Sequence, residues 1–109
     1  MRKVECEILD AIESHETRQV SKRDAVIWPT DNVCVIRLWG NTIATLEMCT
    51  IKISSCGWHS TTTKSRLNAL LKEYTDVSLC QKNKIWYLTD GRLFEDEMTI
   101  RVRREDYYE

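Results

Sequence analysis

The sequence lacks long apolar runs. No stretch approaches the roughly 20 apolar residues that a membrane-spanning helix requires. The charged first residues, which include Arg2, Lys3, Glu5 and Glu7, do not form the apolar core of a signal peptide. We therefore expect a cytoplasmic protein without membrane contact. The chain has 109 residues, of which 42% are hydrophobic and 30% charged, and this composition is typical of one globular domain.

Paired cysteines and glycine-rich loops are also missing. The five cysteines are odd in number and irregularly spaced, which argues against a disulfide framework. A metal site assembled from Cys49, Cys56, His59 and Cys80 would match no zinc module, because no Cys-x-x-Cys pair is present. The three glycines are far apart and form no phosphate-binding loop. The sequence predicts no metal and no other cofactor.

No catalytic arrangement is recognisable. A catalytic histidine needs a nucleophile and an orienting acid close by. The acids nearest to His59 in the sequence are Glu47 and Glu73, and no motif links them to it. The contiguous carboxylates of residues 95–97 point in different directions on a strand or a turn. The sequence therefore predicts a binding protein and not an enzyme.

The clearest element is an amphipathic helix over residues 61–74, which follows a polar stretch beginning at Cys56. The hydroxyl groups of residues 60–63 can cap its first N–H groups. Four apolar side chains recur at i, i+3, i+4 and i+7 and predict a face that packs on a sheet: Leu67, Leu70, Leu71 and Tyr74.

The first turn of this helix carries Lys64 and Arg66, at the end of the dipole where acids are favoured by about 0.3–1 kcal/mol. Either the two cations receive an anion, such as a phosphate or a partner's carboxylate, or both project into water. Under the first explanation, changing both to Glu removes binding, and stability stays unchanged or rises by about a few tenths of a kcal/mol. Residues 48–72 hold four basic residues and no acid, whereas residues 1–16 and 95–109 are acidic.

Apolar alternation predicts an antiparallel sheet around the helix. The fold class is α+β, with about five to six strands in meander–helix–hairpin order, the central helix packed on the sheet, and a short N-terminal helix. We expect the sheet to be built mainly from residues 33–54 and 77–102, with a two-residue turn at Gly40-Asn41. The strand candidates are residues 25–28, 33–39, 43–47, 50–54, 77–81, 85–88 and 98–102.

The ends of the chain are charged and less apolar than its middle. We predict a charged N-terminal segment over residues 1–23, with a short helix at 4–12, that contributes little to the core. A single α+β domain then covers residues 24–103, and residues 104–109 form a charged tail.

A pattern of residue types surrounds the helix start. It consists of Gly57-Trp58, Thr62-Thr63-Lys64 and Arg66-Leu67-Asn68, followed after the helix by Ile85-Trp86-Tyr87-Leu88. Over roughly residues 33 to 100 this pattern resembles a family of small accessory proteins of tailed bacteriophages. The chain departs from that family at Cys56 and His59, where the pattern has glycine and arginine. The resemblance implies a phage origin and no known chemistry.

The candidate binding surface is the loop and first turn of the helix. Trp58 either covers the helix–sheet junction or is exposed as a contact group. Trp39, Trp86 and Tyr87 lie on predicted strands, where an open sheet face could stack nucleic-acid bases. The candidate binding residues are Trp58, His59, Thr62, Thr63, Lys64, Arg66 and Lys52.

Two functions follow from this surface. The first is a small non-enzymatic protein that binds its target stoichiometrically, most simply as an inhibitor of a host nuclease or defence system such as a CRISPR effector. Its partner is then a host protein or a protein–nucleic-acid complex. The second is a small nucleic-acid- or nucleotide-binding module that uses the basic helix start.

Overall fold

A computed structural model describes residues 1–103 as two helices and eight strands. The predicted charged tail lies outside the described residues. Neither helix is long and apolar enough to cross a membrane. The helices are α1 (Lys3–Glu13) and α2 (Thr61–Tyr74). The strands are β1 (Arg18–Gln19), β2 (Asp24–Thr30), β3 (Val33–Leu38), β4 (Asn41–Leu46), β5 (Thr50–Ile53), β6 (Leu79–Lys82), β7 (Ile85–Leu88) and β8 (Met98–Arg101).

Six strands form one antiparallel sheet in the order β1-β2-β3-β4-β5-β8. The predicted α+β class is confirmed. Strands β6 and β7, however, form a separate hairpin and do not extend this sheet as predicted. The Asn68 side chain explains the difference, because its amide donates to the Leu79 carbonyl (3.0 Å) and accepts from the Leu79 N–H (2.6 Å). The hairpin is therefore held at α2.

The main sheet has one buried face. Ile36, Ala44 and Ile53 lie in register across β3, β4 and β5 and are buried. The side chains that follow or precede them point the other way, as the alternation of a strand requires. The neighbouring row on that opposite face is Val35, Thr45, Lys52 and Thr99.

Strands β3 and β4 are joined by a turn of Trp39 and Gly40, and the predicted turn at Gly40-Asn41 is wrong by one residue. Leu38 and Asn41 pair across the turn. Trp39 and Gly40 have φ values of 54° and 77°, as a type I′ hairpin turn requires at its two central residues. Glycine therefore takes the second central position and not the first.

Helix α2 has the predicted bounds. It begins after Ser60, whose Oγ accepts a hydrogen bond from the Thr63 N–H (3.1 Å), a standard N-cap contact. Leu67, Leu70 and Leu71 are buried on the face that their spacing predicts. The helix therefore packs with its apolar face on the core.

We expect the replacement Leu70→Ala to lower the free energy of unfolding by about 2–5 kcal/mol. Leu70 is 1% exposed, so truncation leaves a cavity in the core. Lys72→Ala is the matched control on the exposed side of α2 and should change stability by less than about 0.5 kcal/mol. Equal midpoints for the two variants in a urea titration would contradict the packing of this face.

Helix α1 is part of the core. The predicted helix at residues 4–12 is confirmed within one residue at each end. Ile8, Ala11 and Ile12 are buried and belong to the same hydrophobic cluster as the sheet and α2. The prediction that residues 1–23 contribute little to the core is therefore wrong, because these apolar side chains share one helical face.

Candidate binding cleft at the start of helix α2

A cleft of about 450 Å³ lies beside the β3–β4 turn and the start of α2. The buried residues Leu38 and Ile43 contribute apolar surface to it, and the exposed rings of Trp39 and Trp58 also line it. The other lining residues are Asn41, Ser55, Cys56, Ser60, Thr62 and Thr63. A concave apolar surface with aromatic sides is typical of binding pockets.

Trp39 occupies an unusual backbone position. Its φ of 54° places a large aromatic residue in the left-handed region, where Asn, Asp or Gly is preferred in this turn type. The conformation costs roughly 1 kcal/mol for an ordinary residue. The side chain is 66% exposed, so burial does not offset that cost. Strained positions of this kind cluster at functional sites.

Trp58 follows a second left-handed turn. Cys56 and Gly57 have φ values of 54° and 83°, and the Trp58 N–H donates to the Ser55 carbonyl (2.9 Å). Trp58 is 70% exposed and is not a lid on the helix–sheet junction. Of the two positions that the sequence left open for this ring, the structure has the exposed one.

Asp96 holds the loop that carries Trp58. Its Oδ1 accepts hydrogen bonds from the Ser55 N–H (2.7 Å) and the Ser55 Oγ (2.8 Å). Ser55 Oγ in turn accepts from the Gly57 N–H (3.2 Å). Partial burial opposes ionisation of Asp96, but the hydrogen bonds from Ser55 and the nearby His59 outweigh it. The pKa of Asp96 is therefore lower than that of an ordinary aspartate.

We expect Asp96→Asn to lower the free energy of unfolding by about 0.5–1.5 kcal/mol at pH 7. Because the folded-state pKa is lowered, the contribution of the carboxylate is present above the unfolded pKa of about 4 and is lost as pH falls through the folded value. In urea titrations, the parent and Asp96→Asn should therefore have different midpoints at pH 7, and the two midpoints should approach each other as the pH is lowered towards 3. Glu95→Gln is the matched control. A pH-independent difference would contradict the ionic origin.

The structure brings Thr62 and Thr63 to the cleft but directs Lys64 elsewhere. Both threonines line the cleft, and Thr63 is buried with its Oγ1 2.9 Å from Ser60 Oγ. Lys64 Nζ donates to Gln81 Oε1 on β6 (3.2 Å) and does not line the cleft. The side of the helix start that lines the cleft is therefore less basic than the sequence predicts.

Arg66 is not a surface residue, and the prediction that it is exposed is wrong. It is 2% exposed, with Nη1 2.8 Å from Glu5 Oε2 and Nε 2.7 Å from Asp24 Oδ1. The anion that it receives comes from the same chain. Burial opposes its charge, but the bonds to Asp24 and Glu5 outweigh burial and raise the pKa of Arg66. Changing Lys64 and Arg66 together to Glu is therefore no longer expected to preserve stability.

His59 lies outside the cleft, in an aromatic cluster. Its ring stacks on Trp86 with centroids 4.5 Å apart, and its distance to the Phe94 centroid is 5.8 Å. Trp86 is buried, so it cannot serve as an exposed stacking group on a sheet face. His59 helps to attach the Trp58 loop to the β6–β7 hairpin and its flanking segment.

Lys52 lies in a second cleft of about 500 Å³ that adjoins the first. The two clefts share Ile43 and Cys56 as lining residues. Lys52 is exposed, and Asp96 and Glu97 line the same cleft. Of the predicted binding residues, Trp58, Thr62 and Thr63 therefore come together, and Lys52 is next to them.

Sequence reasoning missed two residues of this site. The sequence predicts Trp39 on a strand, because the turn that it predicts at Gly40-Asn41 begins one residue too late. The sequence predicts Asp96 in a run of acids whose carboxylates diverge, and its contact with Ser55 spans 41 positions of sequence. No local pattern could have predicted that contact.

The cysteines form no metal site among residues 1–103, where no group of three or more potential ligands is found. Cys6, Cys34, Cys49, Cys56 and Cys80 are all outside disulfides. Burial raises the pKa of Cys34 to about 12, so this thiol stays protonated.

A protein-family model described as Kyanoviridae Gp96 protein matches residues 1–107, which is nearly the whole chain. The chain belongs to this phage protein family. The phage relationship that the helix-start pattern predicted is therefore confirmed. No curated protein and no solved structure matches the chain.

The Gp96 match extends the phage resemblance beyond residues 33–100. It includes helix α1 and strands β1 and β2, and thus the segment that supplies Glu5 and Asp24 to Arg66. The Kyanoviridae Gp96 family description identifies a small phage-encoded protein and assigns it no activity.

Proposed function

We propose that this phage protein acts by stoichiometric, non-enzymatic binding of a host protein through the cleft lined by Trp39 and Trp58. The observation that carries the proposal is the presence of two exposed tryptophans on one apolar cleft. Tryptophan is enriched in the hot spots of protein interfaces. A cluster of large exposed apolar side chains on a protein surface commonly marks an interaction site.

The contacts of the candidate nucleophiles support binding over catalysis. Within residues 1–103, no hydrogen bond joins His59 to a hydroxyl or thiol group, and its ring is stacked on Trp86 instead. Ser55 lines the cleft, but its Oγ donates to the Asp96 carboxylate, and no hydrogen bond within residues 1–103 joins it to His59. Nucleophilic chemistry needs such a base.

The proposed partner is a component of a host nuclease or defence complex, with CRISPR effectors as one class, and the proposed site of action is the host cytoplasm. Membership of a phage protein family supports a role in infection. A protein of 109 residues can block a larger complex by occupying one surface on it. An interface of standard size needs only about 800 Å² from each partner.

Nucleic-acid or nucleotide binding is the alternative function and has less support. A phosphate backbone is bound mainly by exposed Lys and Arg. Arg66 is buried and Lys64 donates to Gln81. Within the described part of the chain, none of the residues that line the Trp39–Trp58 cleft is charged. Among the aromatics expected to stack bases, Trp86 is buried.

The test is affinity capture from infected-host extract with the full-length tagged protein and two variants. We expect the parent to retain one host protein in near-equimolar yield. With both proteins purified, Trp58→Ser should raise the Kd for this partner by about 30-fold or more, equivalent to about 2 kcal/mol. Met48→Ser is the matched control, because Met48 is 72% exposed and does not line the cleft. Its affinity should equal that of the parent.

Equal binding by the parent and Trp58→Ser would contradict the proposal. Retention that disappears after nuclease treatment, or that weakens by orders of magnitude as salt rises, would favour the nucleic-acid alternative. If the partner is a nuclease, its activity should fall in proportion to added protein and reach its minimum at a one-to-one ratio.

A further inference from the structure

The cleft offers very few free hydrogen-bonding groups to a ligand. Ser60 Oγ and Thr63 Oγ1 are hydrogen-bonded to each other at 2.9 Å. Ser55 Oγ donates to Asp96, and Cys56 Sγ lies 3.0 Å from the Thr42 carbonyl oxygen. Most polar side chains of the cleft are therefore satisfied within the chain.

The described lining of the cleft also lacks charge. Among residues 1–103, none of the side chains that line the cleft is acidic or basic. Burying a charged or polar group without a partner is unfavourable, whereas burying apolar surface is favourable. Leu38, Ile43 and the two tryptophan rings provide the apolar contact.

The adjoining cleft differs from the first in position and in chemistry. The two clefts share Ile43 and Cys56, but the second is also lined by Thr45 and Lys52, which lie on the opposite face of the sheet. The second cleft is polar, with Lys52, Asp96 and Glu97 among its lining residues. An apolar group of a ligand therefore finds its contacts in the first cleft.

We propose that the cleft lined by Trp39 and Trp58 recognises a segment of a partner protein that inserts one uncharged apolar side chain, phenyl or aliphatic, between the two rings. This inference rests on the proposed function and specifies the chemistry of the partner. The side chains of Trp39 and Trp58 are exposed, and an indole N–H group can donate a hydrogen bond to a carbonyl group of the segment.

The probes are terminally blocked seven-residue peptides of Gly and Ser with one central residue, which is Phe, Leu, Gln, Lys or Glu. They are titrated to millimolar concentration into the uniformly ¹⁵N-labelled full-length protein, and the indole N–H resonances are followed. The chain has four tryptophans, and the indole nitrogens of Trp28 and Trp86 are buried, so these two serve as internal controls.

We expect the Phe and Leu peptides to shift the Trp39 and Trp58 resonances and to leave those of Trp28 and Trp86 in place. The Gln, Lys and Glu peptides should need about tenfold higher concentration or more for the same shift, because they lose the burial of an apolar side chain. The variant Trp58→Ser should lose the Trp39 shift, while Met48→Ser should retain it.

Equal or tighter binding of a charged peptide overturns the inference, and so does a response to uridine monophosphate alone. If no peptide shifts either resonance while Trp58→Ser still abolishes capture of the host protein, the inference fails and the proposed function stands. If the variant also captures the host protein normally, both fail.

Discussion

Replacing Arg66 by Met is expected to lower the free energy of unfolding by about 3–5 kcal/mol. The substitution removes the guanidinium from two buried carboxylates, Glu5 and Asp24. Asp24 keeps Arg23 Nε at 3.7 Å, whereas Glu5 loses its buried cation. A domain of this size has a total stability of about 5–15 kcal/mol, so the variant should lie close to its unfolding threshold. Thermal unfolding should show a decrease of at least about 12 °C in Tm.

Lys64→Met is the matched control for this prediction. Lys64 is two residues earlier on α2, is partly exposed and donates to the neutral Gln81. Its loss should change stability by no more than about 0.5 kcal/mol. If Arg66→Met is as stable as Lys64→Met in guanidinium titrations, the buried ion pairs do not hold the helices and β2 together.

Helix α2 could be predicted from the sequence because its determinants are local. The spacing of Leu67, Leu70 and Leu71 and the hydroxyl cap at Ser60 all lie within twelve residues. Arg66 lies in the same helix, yet its burial could not be predicted. Its two partners are 42 and 61 positions away in the sequence, and only the packing of α1 and β2 against α2 brings them together.

The same distinction applies to the cleft. Trp58 was identified because it lies beside a glycine and directly before the helix. The role of Trp39 was missed because the turn was placed one residue late, and a shift of one residue moves a side chain from a strand face to a turn. The joining of both rings at one cleft depends on the tertiary fold. The sequence alone therefore predicted one side of the site.

For helix α1, the sequence predicts the helix correctly but does not predict its contribution to the core. Its helical spacing was visible in the sequence, but its charged flanks favoured a peripheral segment. The acid at Glu5 looked like part of that charged surface, although it is 4% exposed and pairs with Arg66. A charged residue is therefore not always exposed, because a residue of opposite charge that is distant in the sequence can pair with it in the core.

A chain that begins at Asp24 is expected to be unfolded, and this truncation directly tests the predicted boundary between residues 1–23 and the following domain. Burial of Ile8 and Ile12 contributes about 1.5–3 kcal/mol each, and the deletion also exposes the core that they cover. It removes Glu5 as well, so that Arg66 keeps Asp24 as its one buried carboxylate. The sum approaches the whole stability of a small domain.

The measurements are far-ultraviolet circular dichroism and the dispersion of amide resonances of the purified truncated chain. Two point variants of the full-length protein separate loss of packing from a general effect of truncation. Ile12→Ala should lower the free energy of unfolding by about 2–5 kcal/mol, whereas Lys3→Ala, on an exposed position of α1, should change it by less than about 0.5 kcal/mol. A truncated chain with dispersed resonances and cooperative unfolding would show that α1 is dispensable, because β2, β3 and α2 then form a stable core without its apolar face.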